Sequence, residues 1–457
     1  MADSSSTQEI IEGARTVAHL ATHLRELKQA SEVLMERFSA SERGYFNPSE
    51  EDEVRHIHVS YLQTRSALFE VVLSFRDYRN LSVDVQPAAF LVAYSGALLL
   101  IDAARFLRES FEDRLVVRRK LNEAVPSFGI PAGTYDTVQN SLTDPEHVWQ
   151  VYQAIQYFDD NERELRQAAQ NDVLAPVMEV IEKLGERVKV GLRTYVKARA
   201  QVRARQLLKG INEEAIGQVM YVIQQYASRL VSGLSFHPGH QPALPDDIAD
   251  EIRELLRPGD IFVTRKEYVL TNYFLPGYWP HAALYMGDES DLIAMGIQDH
   301  ENVKPRWQRL LALDPDEPKR VFEALKDGAW IRSLKSPFSV DAVAVIRPNL
   351  SQEQVAEALA RGLFHEGKSY DFDFDFTRSD RIVCTEVVFR TYEGIGDMKF
   401  KLTPRAGRMT LSAEDLLRMA LKRENFEPVA VFAPSHKKGL ISGERADELL
   451  EETMSED

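Results

Sequence analysis

The chain has 457 residues, of which 44% are hydrophobic and 28% are charged, and its formal net charge is −16 at pH 7. This composition is typical of a soluble globular protein, and the length is enough for two or three domains. The negative charge argues against wholesale binding of nucleic acid or of an anionic membrane, because both favour positively charged partners. We therefore expect no nucleic-acid partner.

Three features bear on the compartment. The single cysteine cannot form an internal disulfide, which fits a reducing environment. The N-terminal sequence MADSSSTQEIIEGARTVAHL has no basic region followed by an apolar run, so it predicts no signal peptide. The most apolar stretch, Pro87 to Ile101, is shorter than the ~20 residues of a membrane span and is followed by Asp102. We interpret it as a buried central helix, and we predict a cytoplasmic protein without a transmembrane segment.

The first half of the chain has helical periodicity. Apolar residues recur at intervals of three and four in the first segment: Ile10, Ala14, Val17, Ala21 and Leu24. The sequences Asn47-Pro48-Ser49-Glu50 and Asp144-Pro145-Glu146 are typical helix starts, with a capping side chain and a proline in the first turn. We predict an all-α helical bundle over residues 1–234.

The pattern changes at SFHPGHQPALPDD, which is rich in proline and glycine and predicts a linker over residues 235–248. Short strand patterns then follow, in RPGDIFVTR, HAALYMGD, RVFEALKDG and DAVAVIRP, before the amphipathic helix SQEQVAEALARGLFHEG. These patterns predict an α+β domain over residues 249–436. Residues 437–457 are acidic, and we expect them to be a frayed or disordered tail.

The single cysteine, Cys384, lies in SDRIVCTEVVFRTYEG. Helical spacing places Val387 and Thr391 on the face of the cysteine, and the preceding Ser379 and Asp380 are candidates to cap the helix. A thiol in the first turn of a helix is close to the positive end of the helix dipole, which favours the thiolate. A lone cysteine more often packs inertly in a core, so the residues alone leave both interpretations open.

A thiolate nucleophile needs a histidine base and a group that orients the histidine. Among eleven histidines, His281 is distinctive because it begins a predicted strand after the aromatic turn LPGYWP. Glu323 interrupts the apolar run of another predicted strand, where a carboxylate is costly unless it is paired. His281 is its natural partner on a neighbouring strand. The alternative is an edge strand on which Glu323 faces water.

Five segments occur in an order that is informative about the family: RPGDIFVTR, TNYFLPGYWPHAALYMG, VFEALKDGAWIRSL, DAVAVIRP and GKSYDFDFDFTRSDRIVCTEVVFRTY. Across residues 256–430 they resemble the YiiX/YebB-like circularly permuted papain-like hydrolases of the NlpC superfamily, relatives of lecithin:retinol acyltransferase. Histidine precedes glutamate and cysteine, whereas ordinary papain-like chains place cysteine first. The resemblance implies a permuted papain-like domain with a small antiparallel sheet and a nucleophile helix.

The resemblance also implies roles for individual residues. Cys384 matches the nucleophile, His281 the general base and Glu323 the residue that orients the histidine. Tyr370, in the aromatic and acidic segment before the cysteine, is expected to line the site or to help hold an oxyanion. The backbone N–H of Cys384 is the other expected oxyanion donor.

The chain departs from the family by an insertion over residues 289–319, between the histidine and glutamate strands. Without the later VFEALKDG match, DLIAMG would align with the glutamate strand and would place Ala294 at the position of the glutamate. The insertion is either a lid or substrate wall, or a passive surface excursion. We expect Trp307 within it, and Tyr278 and Trp279 in the LPGYWP turn, to contact the substrate.

Two further segments have less specific patterns. The alternation in YDFDFDF predicts a strand with phenylalanines inward and aspartates outward. The basic segment over residues 185–210 either binds an acidic partner or pairs with the chain's own acidic helices, and the net charge favours the second. The sequence predicts no metal site and no cofactor.

The combined hypothesis is a cysteine-dependent hydrolase that cleaves an amide or ester, in a peptide or a lipid, through a thioester at Cys384. One alternative is a lipid-directed thiol acyltransferase or lipase of the same fold. Another is a catalytically inactive scaffold or binding protein. The oligomeric state is left open.

Overall fold

In the computed structural model, the chain divides into two compact units, residues 1–238 and 239–457. The structure describes residues 2–37, 40–75, 81–125, 130–143, 145–185, 188, 220, 240, 242–267, 277–405 and 408–455. Apart from residues 185 and 188, the basic segment over residues 185–210 lies outside the described residues. The first residues of the predicted linker, 235–239, also lie outside them.

The N-terminal unit is helical, as predicted. Its helices are α1 (Ala2–Arg37), α2 (Ala40–Arg43), α3 (Pro48–Ser74), α4 (Gln86–Phe111), α5 (Leu115–Leu121), α6 (Thr134–Thr143), α7 (Pro145–Asp160) and α8 (Glu162–Ala168), and residues 175–185 are also helical. Helix α3 begins where the sequence indicates. The Asn47 side chain accepts the Glu50 N–H, and the Glu50 carboxylate accepts the Asn47 N–H.

Helix α4 is the buried centre of this unit. Among the helices of the described residues, it is the one whose length and hydropathy would allow it to cross a membrane. However, 89% of its most apolar stretch is buried inside the protein. Phe90 and Tyr94 stack along it with ring centroids 5.4 Å apart. Asp102, near its C-terminal end, pairs with Lys28 of α1. The interpretation of this stretch as a buried central helix is confirmed.

The C-terminal unit is α+β, as predicted. Its helices are α9 (Asp246–Leu255), α10 (Glu289–Ala294), α11 (Trp307–Ala312), α12 (Lys335–Phe338), α13 (Gln352–Gly362), α14 (Cys384–Tyr392), α15 (Ala413–Leu421) and α16 (Glu444–Thr453). Its strands are β1 (Ile261–Arg265), β2 (His281–Gly287), β3 (Arg320–Leu325), β4 (Gly328–Ser333), β5 (Ala342–Pro348), β6 (Ser369–Tyr370), β7 (Arg381–Ile382), β8 (Thr403–Arg405), β9 (Arg408–Thr410), β10 (Phe426–Ala433) and β11 (Lys437–Ser442).

Seven of the described strands form one antiparallel sheet in the order β11-β10-β5-β1-β2-β3-β4. Successive residues of a strand point to opposite faces, so Ile261 and Val263 lie in one core and Phe262 lies in another. The first core also contains the buried side of α14, which packs against β2 and β3. The sheet therefore brings the cysteine helix onto the strands that carry His281 and Glu323.

Two predicted boundaries are wrong. Helix α9 begins at Asp246, inside the predicted linker 235–248, and the Leu244 N–H donates to the Phe338 carbonyl at 3.0 Å. Residues 437–455 are not a disordered tail, because β11 pairs with β10 and α16 packs against β10. Three apolar residues at helical spacing bury one face of α16: Ala446, Leu449 and Leu450. Acidic residues on the other positions obscured this amphipathic pattern.

The strand predicted for YDFDFDF is also wrong. Strand β6 ends at Tyr370, and the chain then turns, with Phe374 at φ +54°. Asp371 is fully buried instead of facing outward. Its carboxylate accepts the backbone N–H groups of Asp373 at 3.1 Å and Asp375 at 2.6 Å. An aspartate that binds the backbone ahead of it stabilises a turn, which competes with the strand.

The insertion over residues 289–319 is built into the core of the C-terminal unit. Leu292, Val303 and Leu310 are fully buried within it. The buried Glu366 carboxylate binds Arg306 at 2.7 Å and also pairs with Arg309. These contacts differ from those of a passive surface excursion, and a lid movement would have to expose the three apolar side chains.

A buried carboxylate holds the turn that leads into β2. Gly277 has φ +92°, and the Glu414 carboxylate accepts the Tyr278 N–H at 2.7 Å. A Cβ atom on Gly277 would lie 2.1 Å from the Glu414 carboxylate. Trp279, which follows Tyr278, is fully buried and donates its indole N–H to the Thr453 hydroxyl at 2.9 Å. The start of β2, and with it His281, is thus anchored from two sides.

Gly277→Ala should destabilise the C-terminal unit, because it combines a left-handed backbone with an overlap on a buried carboxylate. Gly439→Ala is the matched control, since Gly439 has φ +83° but open space around its Cβ position. Both variants carry the left-handed penalty of about 1–2 kcal/mol. We expect Gly277→Ala to lose roughly 1–3 kcal/mol more, measured by urea unfolding monitored through tryptophan fluorescence. Equal losses would mean that Glu414 does not constrain the turn.

Candidate active site

Cys384 is the first residue of α14 and is almost fully buried, with an exposed fraction of 3%. The preceding Val383 is extended and occupies the N-cap position without a side-chain cap, so the prediction that Ser379 or Asp380 caps this helix is wrong. Instead, the carboxylate of Glu386, in the first turn, accepts the Val383 N–H. The thiol therefore lies at the positive end of the helix.

The edge of strand β2 that faces β3 is unpaired where the thiol approaches it. The described pairing of β2 with β3 runs from Leu284–Phe322 through Tyr285–Val321 and does not reach His281 or Ala282. The Cys384 sulfur hydrogen-bonds with the His281 side chain and with the backbone N–H of Ala282. It also receives the N–H of Thr385 from its own helix. The first two residues of β2 thus place an imidazole and a backbone N–H beside the sulfur.

His281 and Glu323 are hydrogen-bonded, with His281 Nε2 and Glu323 Oε2 2.7 Å apart. The Glu323 side chain is only 1% exposed, so the alternative in which it faces water is wrong. Because Nε2 is engaged with the carboxylate, Nδ1 is the ring nitrogen left for the Cys384 thiol. The predicted pairing of the two residues across neighbouring strands is confirmed as a contact.

Glu323 is held by two further side chains. The Ser336 hydroxyl donates to Glu323 Oε1, and Arg332 Nε lies 3.5 Å from the same oxygen. Arg332 Nη2 also pairs with Asp327 Oδ1 at 2.5 Å. Both oxygens of the buried carboxylate therefore have partners, as a buried charge requires.

These contacts shift all three ionisation equilibria. Burial alone would lower the pKa of His281, but the charge and hydrogen bond of Cys384, together with those of Glu323, raise it to about 9. Burial raises the pKa of the Cys384 thiol, but the charge and hydrogen bond of His281 and the two backbone N–H groups outweigh it, so the pKa is lowered. Burial opposes ionisation of Glu323 as well, yet His281, Arg332 and Ser336 lower its pKa to about 2. The arrangement favours a thiolate beside an imidazolium.

Tyr370 is close enough to respond to the charge of Cys384. Burial, followed by the charges of Cys384 and Asp371, raises the pKa of Tyr370 well above its usual range. The phenol is therefore neutral and retains its proton. Phe372 and Phe374 place their rings against Tyr370, with centroids 5.0 and 6.1 Å away.

The three predicted substrate contacts have different outcomes. Trp279 is fully buried with its indole N–H satisfied, so the prediction that it contacts substrate is wrong. Tyr278 is half-buried, with its hydroxyl 2.8 Å from Ser435 Oγ and its ring 4.5 Å from the Arg265 guanidinium. Trp307 is half-buried against the core. Substrate contact by Tyr278 and Trp307 stays a prediction.

Sequence reasoning missed four contributors to the site: Ala282, Arg332, Ser336 and Thr385. Two of them act through backbone N–H groups, which leave no signal in the sequence. Arg332 did carry a signal, because it interrupts the apolar pattern of β4 as Glu323 interrupts that of β3. Two opposite charges in adjacent apolar strands indicate a buried pair.

A comparison with family models covers most of this unit. Residues 255–438 match the family described as permuted papain-like amidase enzyme, YaeF/YiiX, C92 family. No curated protein and no solved structure gives a significant match. The matched span runs from the end of α9 into β11 and contains the cysteine helix and the strands that carry His281 and Glu323. Residues 255–438 of this chain, somewhat less than half of its length, are therefore similar to the permuted papain-like amidases of the YaeF/YiiX family, which are hydrolases of the papain-like kind.

Proposed function

We propose that the protein is a cysteine hydrolase that cleaves an amide or ester through a thioester on Cys384. The observation that carries this proposal is the hydrogen-bonded row of Cys384, His281 and Glu323 at the N-terminus of α14. The lowered pKa of the Cys384 thiol and the raised pKa of the His281 imidazole support an activated nucleophile over a cysteine that only packs in the core. The similarity of residues 255–438 to an amidase family supports the same chemistry.

In the first half of the reaction, the Cys384 thiolate attacks the substrate carbonyl carbon. The new S–C bond forms while the C=O π electrons move to oxygen. When the tetrahedral intermediate collapses, the bond to the leaving amine or alkoxide breaks, and the His281 imidazolium gives that group its proton. The thioester remains on the sulfur, and His281 is neutral.

Water completes the reaction. Neutral His281 takes a proton from water as the oxygen attacks the thioester carbonyl, and collapse of the second intermediate expels the Cys384 thiolate. The product is a carboxylic acid, and the imidazolium is restored. Glu323 stabilises the charged imidazole in both halves and fixes its ring orientation, the role that the carboxylate has in serine-type triads.

The oxyanion requires donors aimed at the carbonyl oxygen. The backbone N–H of Cys384, the first residue of α14, has no acceptor within the helix, because the first N–H groups of a helix lack intrahelical acceptors. The neutral Tyr370 phenol is the second donor in this proposal. If an alcohol or amine replaces water, the same site acts as an acyltransferase, and the identity of the acceptor distinguishes the two.

Alkylation of Cys384 should reveal its activation, because it is the single cysteine of the chain. We expect wild-type protein to react with iodoacetamide well below the ordinary thiol pKa of ~8.5. His281→Ala removes the cation, so burial should move the midpoint to that value or above. His300→Ala is the control, since His300 is an exposed histidine outside the proposed row. A wild-type thiol that titrates like a free one would refute the proposal.

A thioester should accumulate on Cys384 when acylation is faster than hydrolysis. We expect incubation with p-nitrophenyl acetate to release p-nitrophenol in a burst and to add one acetyl group to the peptide that contains Cys384, as read by mass spectrometry. Cys384→Ser and His281→Ala should abolish both signals. Acetylation of lysines alone, with Cys384 unmodified, would argue for the scaffold alternative.

Glu323→Gln should slow hydrolysis and move its pH profile. The neutral amide cannot stabilise the imidazolium, so the pKa of His281 falls from about 9, and the alkaline limb of kcat/KM moves to lower pH. The maximal rate should fall on the order of 10²-fold or more, as for other triads that lose their carboxylate. Glu427→Gln, on an exposed position of β10, is the control. An unchanged alkaline limb in Glu323→Gln would exclude the stabilisation of the imidazolium by Glu323.

A further inference from the structure

The candidate site continues beyond Glu323 as a row of side chains whose charges alternate in sign. From the nucleophile outward, the row consists of Cys384, His281, Glu323, Arg332 and Asp327. Four of the five are less than a tenth exposed, and His281 is 21% exposed at its side chain. Arg332 and Asp327 are not explained by the chemistry of the cysteine and histidine alone.

We propose that Arg332, aligned by Asp327, is a positioning residue that keeps Glu323 ionised and oriented toward His281. This inference rests on the proposed function, because it assigns a role in that same site. The ion pairs of Arg332 run to Glu323 and Asp327, and we infer that its effect on the thiol passes through Glu323. It is thus distinct from the catalytic residues.

The sheet register places Arg332 correctly for this role. Val321 pairs with Arg332 and Glu323 pairs with Trp330 across β3 and β4, so Arg332 and Glu323 are diagonal neighbours on one face. The Arg332 guanidinium spans from Glu323 Oε1 to Asp327 Oδ1 in the hairpin turn. The turn is itself fixed, because the Trp330 indole donates to the Asp327 carbonyl at 2.9 Å.

Charge balance explains why a buried arginine is needed there. Without it, Cys384, His281 and Glu323 carry two negative charges and one positive charge in a nearly closed site. The cost of burying this excess negative charge would then be reduced by protonating one of the anions. If Glu323 took the proton, it would no longer attract the imidazolium, and the thiolate would lose the cation beside it. Arg332 supplies the second positive charge and also prevents rotation of the carboxylate away from His281.

Other titratable groups lie close to this row. The neutral Tyr370 phenol responds to the charge of Cys384, and burial raises the pKa of Glu386, in the first turn of α14, to about 7. Glu323 faces His281 and Arg332, together with the neutral donor Ser336. Lys326, which precedes Asp327, adds a cation at the outer end, and burial lowers its pKa to about 7. Lys326 is separated from Glu323 by Arg332 and Asp327 in the row, so titration of Lys326 near neutral pH should be a smaller influence on the thiol.

The sign of the pH effect follows from these contacts. The charge of Arg332 is one of the causes that lower the pKa of Glu323. When Arg332 is removed, the pKa of Glu323 rises, so Glu323 takes up a proton at a higher pH as the solution is acidified. His281 then loses its carboxylate partner, and the reactive thiolate disappears at a higher pH than in the wild type.

The experiment is the pH profile of Cys384 alkylation by iodoacetamide in wild type, Arg332→Met, Arg332→Lys and Ser336→Ala. We expect the acid-side midpoint to move up by about one pH unit in Arg332→Met, since a nearby opposite charge lowers a carboxyl pKa by roughly 1–3 units. Arg332→Lys keeps the positive charge without the planar guanidinium that binds two carboxylates, and it should shift the midpoint less. Ser336→Ala removes a neutral donor, and its shift should also be smaller. Arg445→Met, an exposed arginine on α16, is the control and should not move the midpoint.

A structural role alone would give a different result. If Arg332→Met lowers reactivity by the same factor at every pH, with the wild-type midpoint, the inference is wrong while the proposed function stands. If the wild-type thiol is not activated and does not respond to His281→Ala, the proposed function fails first. Should Arg332→Met not fold because Asp327 loses this partner, the double variant Arg332→Met/Asp327→Asn removes both charges. It should show the same upward shift, and an unchanged midpoint there overturns the inference.

Discussion

The buried contact between His281 and Glu323 is the constraint on which the C-terminal unit depends. A carboxylate in an apolar strand is tolerated only with a cation or donors beside it, and a nearby anion offsets the lowering of the pKa that burial imposes on an imidazole. Each residue satisfies the requirement of the other, and the pair becomes a source of charge beside the sulfur. The adjoining secondary structure serves to keep the two strands at the separation that this contact requires.

The helix that carries the cysteine adds a second requirement. Its first residue must reach an open stretch of β2, so the β2–β3 ladder must stop before His281. Neighbouring elements hold in place this stretch of β2, which pairs with β1 but not with β3. Glu414 binds the backbone of Tyr278, and α16 receives the indole of Trp279. Residues far from the sulfur thus determine where the histidine projects.

Much of this site was predictable because its charged residues interrupt apolar patterns. His281 and Glu323 are conspicuous in strands that otherwise bury their side chains, and Cys384 is the single thiol of the chain. The resemblance to a known family supplied their order and roles. The contributions of Ala282 and Thr385 were not predictable, because a backbone N–H has no residue-type signature and its direction depends on the strand register.

Other predictions failed where a side chain had two possible environments. Asp371 satisfies the backbone of a turn instead of facing water, and periodicity cannot separate these outcomes. Trp279 stands two positions before the histidine, where an aromatic residue is as easily a substrate contact as an anchor. Its burial depends on α16, whose acidic sequence suggested disorder. Local patterns carry no information on such long-range partners.

The bond between Trp279 and Thr453 has a consequence for biosynthesis. The two residues are 174 positions apart, so the ribosome must add α16 before the indole meets its acceptor. Until then the start of β2 lacks one of its two anchors. We therefore expect the position of His281 beside the sulfur to become fully fixed late in folding, once α16 has packed and the indole has its acceptor.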